Sequence, residues 1–329
     1  MKDLFAVVML LGIYSLLSAS FFVAMDAVDV AFTEAAVGAG ISTLLMLVVI
    51  TMTGRSEKTT RHKPLLALLV VVFTGSVLIY GTFDMPYFGI ADAPIHSHVA
   101  PRYINESMKE IGIPNIVTSV LASYRAFDTF GEVVVIFTAG IGVMALLSVR
   151  RRREDDEIET ALNDSMHEEY LVIRIVTKIL IPFILLYALY VQFHGDFGPG
   201  GGFQAGVIFA AAIILYTMLF GLNTARKVIN QSFIQFIAAA GVLLYGSVGI
   251  VSLLNGANFF DYNVLASDPV AGQHLGILLI EWGVGCTVAS VMILIFFSFS
   301  GRRDMHKHSV SNESNESNAS NSNVKGESS

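Results

Sequence analysis

The chain has 329 residues, of which 54% are hydrophobic and 14% charged, and a formal net charge of −7; its mean hydropathy is +0.64. Soluble domains carry nearer a quarter of charged residues, so the composition excludes an ordinary soluble globule and predicts an all-α, polytopic membrane protein. The single cysteine, Cys286, excludes a disulfide framework, and no basic stripe marks a nucleic-acid partner.

Apolar runs long enough to cross a bilayer as helices occur at about 4–24, 30–52, 64–82, 133–149, 171–191, 203–221, 233–254 and 275–299. The first, preceded by Lys2, is read as a span rather than a cleaved leader, because it is long and a second run follows at once. The second opens with Asp29 and carries Glu34 about one turn inside. A basic loop from Arg55 to Lys63 leads to the third. The polar segment 83–114, with Pro86, Pro94, Pro101 and Pro114, reads as an irregular surface loop. Its His96 and His98 lack a recognisable third ligand for a metal. From Asn115, apolar residues recur at helical spacing and predict an amphipathic interfacial helix carrying Arg125 and Asp128, which runs through Glu132 into the fourth span.

Four arginines at 150–153 and an acidic stretch from Glu154 to Glu169 mark a module boundary. The expected divisions are 1–82, 83–149, a charged linker 150–170, a four-helix module 171–300 and a polar tail 301–329 with too little apolar surface to fold. Glu281 falls in the last span, near its expected start.

Between the fifth and sixth spans the chain reads FHGDFGPGGGFQAGVIFAAAIILY from Phe193 to Tyr216. Pro199 and the glycines force a sharp turn. Gly202 and Gly206 offer a close helix contact. His194 and Asp196 place two ionisable groups at the membrane boundary, either as part of a tight turn alone or as members of a proton or cation path.

Lys and Arg cluster in alternate loops, 17 of the 20 on one side. With an even number of spans, the positive-inside rule puts both termini in the cytoplasm. The other face, with the helix turns just beneath it, holds 13 acidic residues against Arg102, Lys109 and Arg125. A surface of one sign gathers counter-ions. Glu34, Glu132 and Glu281, each a turn or two inside a span where a carboxylate is costly, suggest mouths of paths for H+ or Na+.

The Phe193–Tyr216 signature resembles that of the MnhB/MrpB family, a membrane subunit of multisubunit Na+/H+ antiporters; His274 to Gly283 extends the likeness over 171–299. Residues 4–53 resemble an MbhD-type domain through Asp29 to Gly40, with Val28 where that family has proline. Residues 115–149 resemble an MbhE-type domain through Tyr124 to Glu132, with Ala126 where it commonly has glycine. The resemblance implies a fused accessory subunit of an Mrp-type complex in the plasma membrane. It would need other subunits and the lipid bilayer as partners, Na+ and H+ as transported ions, and no cofactor or resident metal.

In that reading Glu34 and Glu132 are proton or Na+ relays facing the bundle interior. Arg125 holds Asp128 or Glu132 ionised, Asp29 belongs to the same acidic entrance, His194 passes protons with Asp196, and Glu281 is a third relay. The same parts also occur in redox-driven, hydrogenase-like pumps, which is the alternative. A pure scaffold, or an intramembrane enzyme using His194, Asp196 and His274, completes the candidates. No nucleophile elbow, HExxH or phosphate loop supports the last, and the chain is expected not to be an enzyme.

Overall fold

The computed structural model describes residues 2–57, 64–87, 89–147 and 171–326, with backbone alone at residue 64 and from residue 302 onward. The charged linker 150–170 and most of the basic loop after Arg55 lie outside the described residues. Eight helices among those described are long and apolar enough to cross a membrane: α1 (Leu4–Ala24), α2 (Val28–Thr53), α3 (Pro64–Thr82), α6 (Ala126–Leu147), α7 (Leu171–His194), α8 (Gly202–Phe220), α9 (Gln231–Leu254) and α10 (Pro269–Gly326), whose spanning part is Pro269–Gly301. Beyond Gly301 the backbone continues α10 as helix. No strand is present among the described residues; Asp3 and Ser56 form an isolated bridge.

Two boundaries differ from expectation. The fourth span starts at Ala126 and the last at Pro269. Both open on polar turns that hydropathy alone passes over. Proline suits the first turn of a helix, where its missing N–H costs nothing. The 83–114 segment is not wholly irregular either: α4 (Ala100–Glu110) is a strongly amphipathic helix that begins with Pro101. Its ion pairs Arg102–Glu110 and Lys109–Glu106, both at 3.0 Å, lie on the exposed side, and the following Ile111 and Ile113 are buried. The helix predicted from Asn115 is short, α5 at residues 116–124, with Asn115 as its N-cap and a π-helical turn at its end. Arg125 breaks it from α6.

The core lies where α8 and α9 each pack on α10 and α6 closes the side. Glycines let these helices meet backbone to backbone. A methyl on Gly206 would sit 2.8 Å from the Gly285 carbonyl oxygen, and one on Gly241 2.6 Å from that of Gly283. Gly202 lies against the Glu281 carbonyl in the same way, so the contact expected of Gly202 and Gly206 is present. At the break at Arg125 two backbone carbonyls take bonds from tyrosine hydroxyls. The Tyr262 hydroxyl donates to Ala122 O at 3.0 Å and the Tyr245 hydroxyl to Ala126 O at 2.9 Å. Both tyrosines are fully buried; the bond to Ala122 covers a carbonyl at a broken helix end that apolar surroundings would otherwise leave unpaired, and the bond to Ala126 adds to the helix's own. By contrast α1 and α2 pack mainly on each other, and no residue in the spanning window of α3 is buried.

Candidate functional site

The site forms at the end of the bundle where the 195–201 turn meets the starts of α2, α5 and α10. His194 ends α7, and its ring stacks on Tyr190 at 4.8 Å between centroids. Asp196, two residues on, points elsewhere: its Oδ2 lies 4.0 Å from His274 Nδ1 on α10. The ionisable pair at this turn is therefore Asp196 with His274, not Asp196 with His194, because one stays with its helix while the other follows the turn. Burial raises the Asp196 carboxyl above the usual carboxylate range, and His274 partly opposes that shift.

Glu281 is deeper than its sequence position suggested. Twelve residues after Pro269, at 1.5 Å per residue, put it about 18 Å along α10. Its Oε1 faces the turn, since a methyl on Gly195 or on Gly201 would lie 3.1 Å from that oxygen. Gly201 has φ +126°, which only glycine adopts without strain. Asp196 is close enough to act electrostatically on Glu281. One turn further along α10, the Gln192 side chain of α7 crosses onto Gly285; it is 7% exposed and its Nε2 is a buried donor with no protein acceptor.

Asp29 and Asn115 close the turn from outside. Asp29 Oδ1 accepts the Gly200 N–H at 3.1 Å, and its Oδ2 lies 3.4 Å from Asn115 Nδ2. The same amide nitrogen donates to Gly195 O at 3.1 Å and to Gly198 O at 3.0 Å. The Asn115 N–H donates to Asp196 O, and the Thr118 hydroxyl to Gly195 O at 2.7 Å. Further in, Gln204 Nε2 donates to Thr33 Oγ1 at 2.9 Å, joining α8 to α2. Asn115 as an N-cap was recognisable from an Asn placed just before an apolar run. Nothing in the local sequence marks Thr118, Thr33, Gln204 or Gln192.

Glu34 lies within α2 where the helix widens into a π-helical stretch, Ala35–Ser42. Its Oε1 and Ser15 Oγ of α1 both lie over Gly38, each 2.6 Å from where a methyl would stand. It thus occupies a polar seam between α1 and α2. Glu132 differs from expectation: it is on the exposed side of α6, not in the interior of this chain. The buried residues of α6 are Ala126, Val133 and Gly140, a seven-residue spacing that turns Glu132 away from the core. Arg125 pairs with Asp128, its Nε donating to Oδ2 at 2.6 Å, and both are more than half exposed. His96 and His98 are exposed, and no His/Cys/Asp/Glu group suited to a metal occurs among the described residues. An apolar groove of about 510 Å³ between α1, α2 and α10 opens at the other end of the helices, near Leu4 and Phe299, away from every one of these carboxylates.

Eight membrane-length helices among the described residues define a polytopic membrane protein. Residues 172–294 match the domain related to the MnhB subunit of Na+/H+ antiporter, 1–55 match the MbhD subunit family of MBH and 65–165 match the MbhE subunit family of MBH. The MbhE match takes in α3 and the 83–114 segment as well as α5 and α6. A Staphylococcus aureus (strain Newman) protein named as antiporter subunit mnhB2 is 32% identical over 141 residues, 42% of this chain and 99% of that one. The chain belongs to the MnhB family of antiporter subunits, with MbhD- and MbhE-type parts ahead of the MnhB part.

A Rhizobium meliloti (strain 1021) protein named as the A/B subunit of a K(+)/H(+) antiporter is 25% identical over 338 residues, covering 92% of this chain. The chain spans 33% of that relative's length. Among solved structures, a chain of the Mrp complex from Dietzia sp. DQ12-45-1b shares the fold, with a TM-score of 0.67 at 23% identity, over 91% of this chain and 33% of that one. A chain of the membrane-bound sulfane sulfur reductase, an archaeal respiratory membrane complex, aligns with a TM-score of 0.53 at 27% identity, over 72% of this chain and 98% of that one.

Proposed function

We propose that this chain is a non-catalytic, ion-path-forming membrane subunit of an Mrp-type monovalent cation/proton antiporter in the plasma membrane, exchanging Na+ for H+ together with other subunits. The observation that carries the reading is Glu281, a carboxylate deep in a membrane helix, walled by the glycine turn and joined at its mouth by Asp196 and His274. A carboxylate is costly at that depth and is retained where it faces protein, water or a passing ion. Glu34, beside Ser15 between α1 and α2, serves as a second relay. Glu132 faces outward, toward a partner subunit that covers α6. His194 lines the turn beside the Asp196–His274 pair. Arg125 and Asp128 neutralise each other at the helix break, leaving Glu132 as the free charge of that segment. The positive-inside bias supports placing both termini in the cytoplasm and the turn on the outer face.

In everted vesicles carrying the whole complex, Glu281→Gln and Glu34→Gln should each lower cation-dependent proton flux by about a hundredfold, the scale of losing a proton-transfer group. Normal assembly with full antiport in both variants would remove the assignment. The alternative, a redox-driven cation-pumping complex, is favoured by one observation, the likeness to a chain of the sulfane sulfur reductase over 98% of its length. Copurification with redox subunits would decide for it.

A further inference from the structure

We propose that Asp29 and Asn115 are positioning residues, side chains of the first two modules that latch the 195–201 turn shut over Glu281. The functional meaning of the latch rests on the ion-path reading of Glu281; its existence does not. A turn rich in glycine has little intrinsic preference for one shape, and at a membrane edge its backbone groups need partners. Within its own module it has four such bonds: Phe197 and Gly198 N–H to His194 O, Gly201 N–H to Val191 O, and Ala205 N–H to Gly201 O.

Five further bonds come from outside. Asn115 takes the carbonyls of Gly195, Asp196 and Gly198, Thr118 doubles the bond to Gly195, and Asp29 takes the N–H of Gly200. These residues are 77 to 171 positions away from their partners in sequence. The MnhB-matched stretch, 172–294, holds the turn and Glu281 but neither Asp29 nor Asn115. The backbone so held is the wall against Glu281 Oε1. Releasing the bonds to Gly195 and Gly200 therefore uncovers that carboxylate. Asp29 serves the latch as an acceptor; its stronger contact needs an oxygen lone pair and not a negative charge.

The test uses the whole complex in membranes, with Cys286→Ser removing the native thiol and Glu281→Cys as the target of a membrane-impermeant methanethiosulfonate. Losing a hydrogen bond is worth enough to change an opening equilibrium about tenfold. Labelling should therefore quicken about tenfold in Asn115→Ala and in Asp29→Ala. Asp29→Asn keeps an oxygen for Gly200 and should label within about twofold of the parent. Thr118→Val, nearly the same shape, should quicken labelling by a smaller factor and covers the case in which Asn115→Ala fails to assemble. Equal rates in all variants overturn the latch, and so does an Asp29→Asn rate equal to that of Asp29→Ala. As a second readout, Thr118→Val in the otherwise native complex should move the pH midpoint of antiport by about half a unit. Faster labelling with an unmoved midpoint would keep the latch and remove Glu281 from the ion path.

Discussion

The two halves of the molecule are built to different standards. In α8, α9 and α10 glycines bring backbones into contact and much of each helix is buried, 56% of the apolar window in α8 and 67% in α10, against 17% in α1, 6% in α2 and none in α3. Helices in lipid gain nothing from hiding apolar surface from one another, so close approach and hydrogen bonds must hold them. In the C-terminal half α8 and α10 have both, whereas α7 is buried over only 11% of its window. The N-terminal half has the α1–α2 seam, α6 laid against α10 and α9, and a few polar bonds to the turn, and it leaves α3 for other protein or lipid to cover. The difference teaches that α10 is the tight centre of the molecule, with α8, α9 and α6 packed along it, while α1 and α2 touch it more lightly and α3 is left unburied.

The sharpest way to break that comparison is a methyl in the glycine seams. Gly206→Ala places a carbon 2.8 Å from the Gly285 carbonyl and should cost about 1–3 kcal/mol; Gly75→Ala in α3 meets nothing within 4 Å and should change stability by less than about 0.5 kcal/mol. Thermal unfolding of the purified complex, followed by loss of the assembled peak, measures both, and equal effects would erase the contrast. Next in size, Tyr262→Phe leaves the Ala122 carbonyl unpaired in the core and should cost about 1–3 kcal/mol. The same hydroxyl removed from exposed Tyr80 on α3 should cost nothing measurable.

A smaller effect separates two carboxylates by pH. The Tyr124 hydroxyl, followed by Arg102, holds Glu110 below the usual carboxylate range, while burial pushes Tyr124 up to about 12. Glu110 thus contributes stability that is present above the ordinary glutamate value and is lost as pH falls through its lowered one. Asp196 is raised by burial, so the folded state holds its proton more tightly. Its contribution is lost as pH rises from the ordinary aspartate value through the raised one. Melting temperature against pH should accordingly flatten on the acid side in Glu110→Gln and on the higher side of the carboxylate range in Asp196→Asn. Identical profiles in the two variants would contradict the opposed shifts.

Much of this architecture was legible from the amino acids. Hydropathy located all eight spans, because a bilayer demands long apolar runs whatever the tertiary structure. It misplaced the starts of α6 and α10, where Asp128 or Gln273 lies in the opening turns and a window average hides the helix. The amphipathic α4 was hidden for the same reason, behind its prolines and charges. The site divides by range. Arg125 with Asp128 follows from helical spacing, and so does the outward turn of Glu132 once Ala126, Val133 and Gly140 are seen as the buried row. The pairing of Asp196 with His274 and the grip of Asp29 on Gly200 join residues far apart in the chain, which no local periodicity encodes.

The glycine seams also decide what can move. Screwing α10 past α8 by a single residue, about 1.5 Å along and about 100° around, would bring the side chain of Val284 or Cys286 to the place where Gly285 now gives the Gly206 backbone room. With no slack for that, α8, α9 and α10 behave as a stator. In the proposed antiporter, a piston or tilt that accompanies ion exchange would fall to α1 to α3 and to the subunits around them.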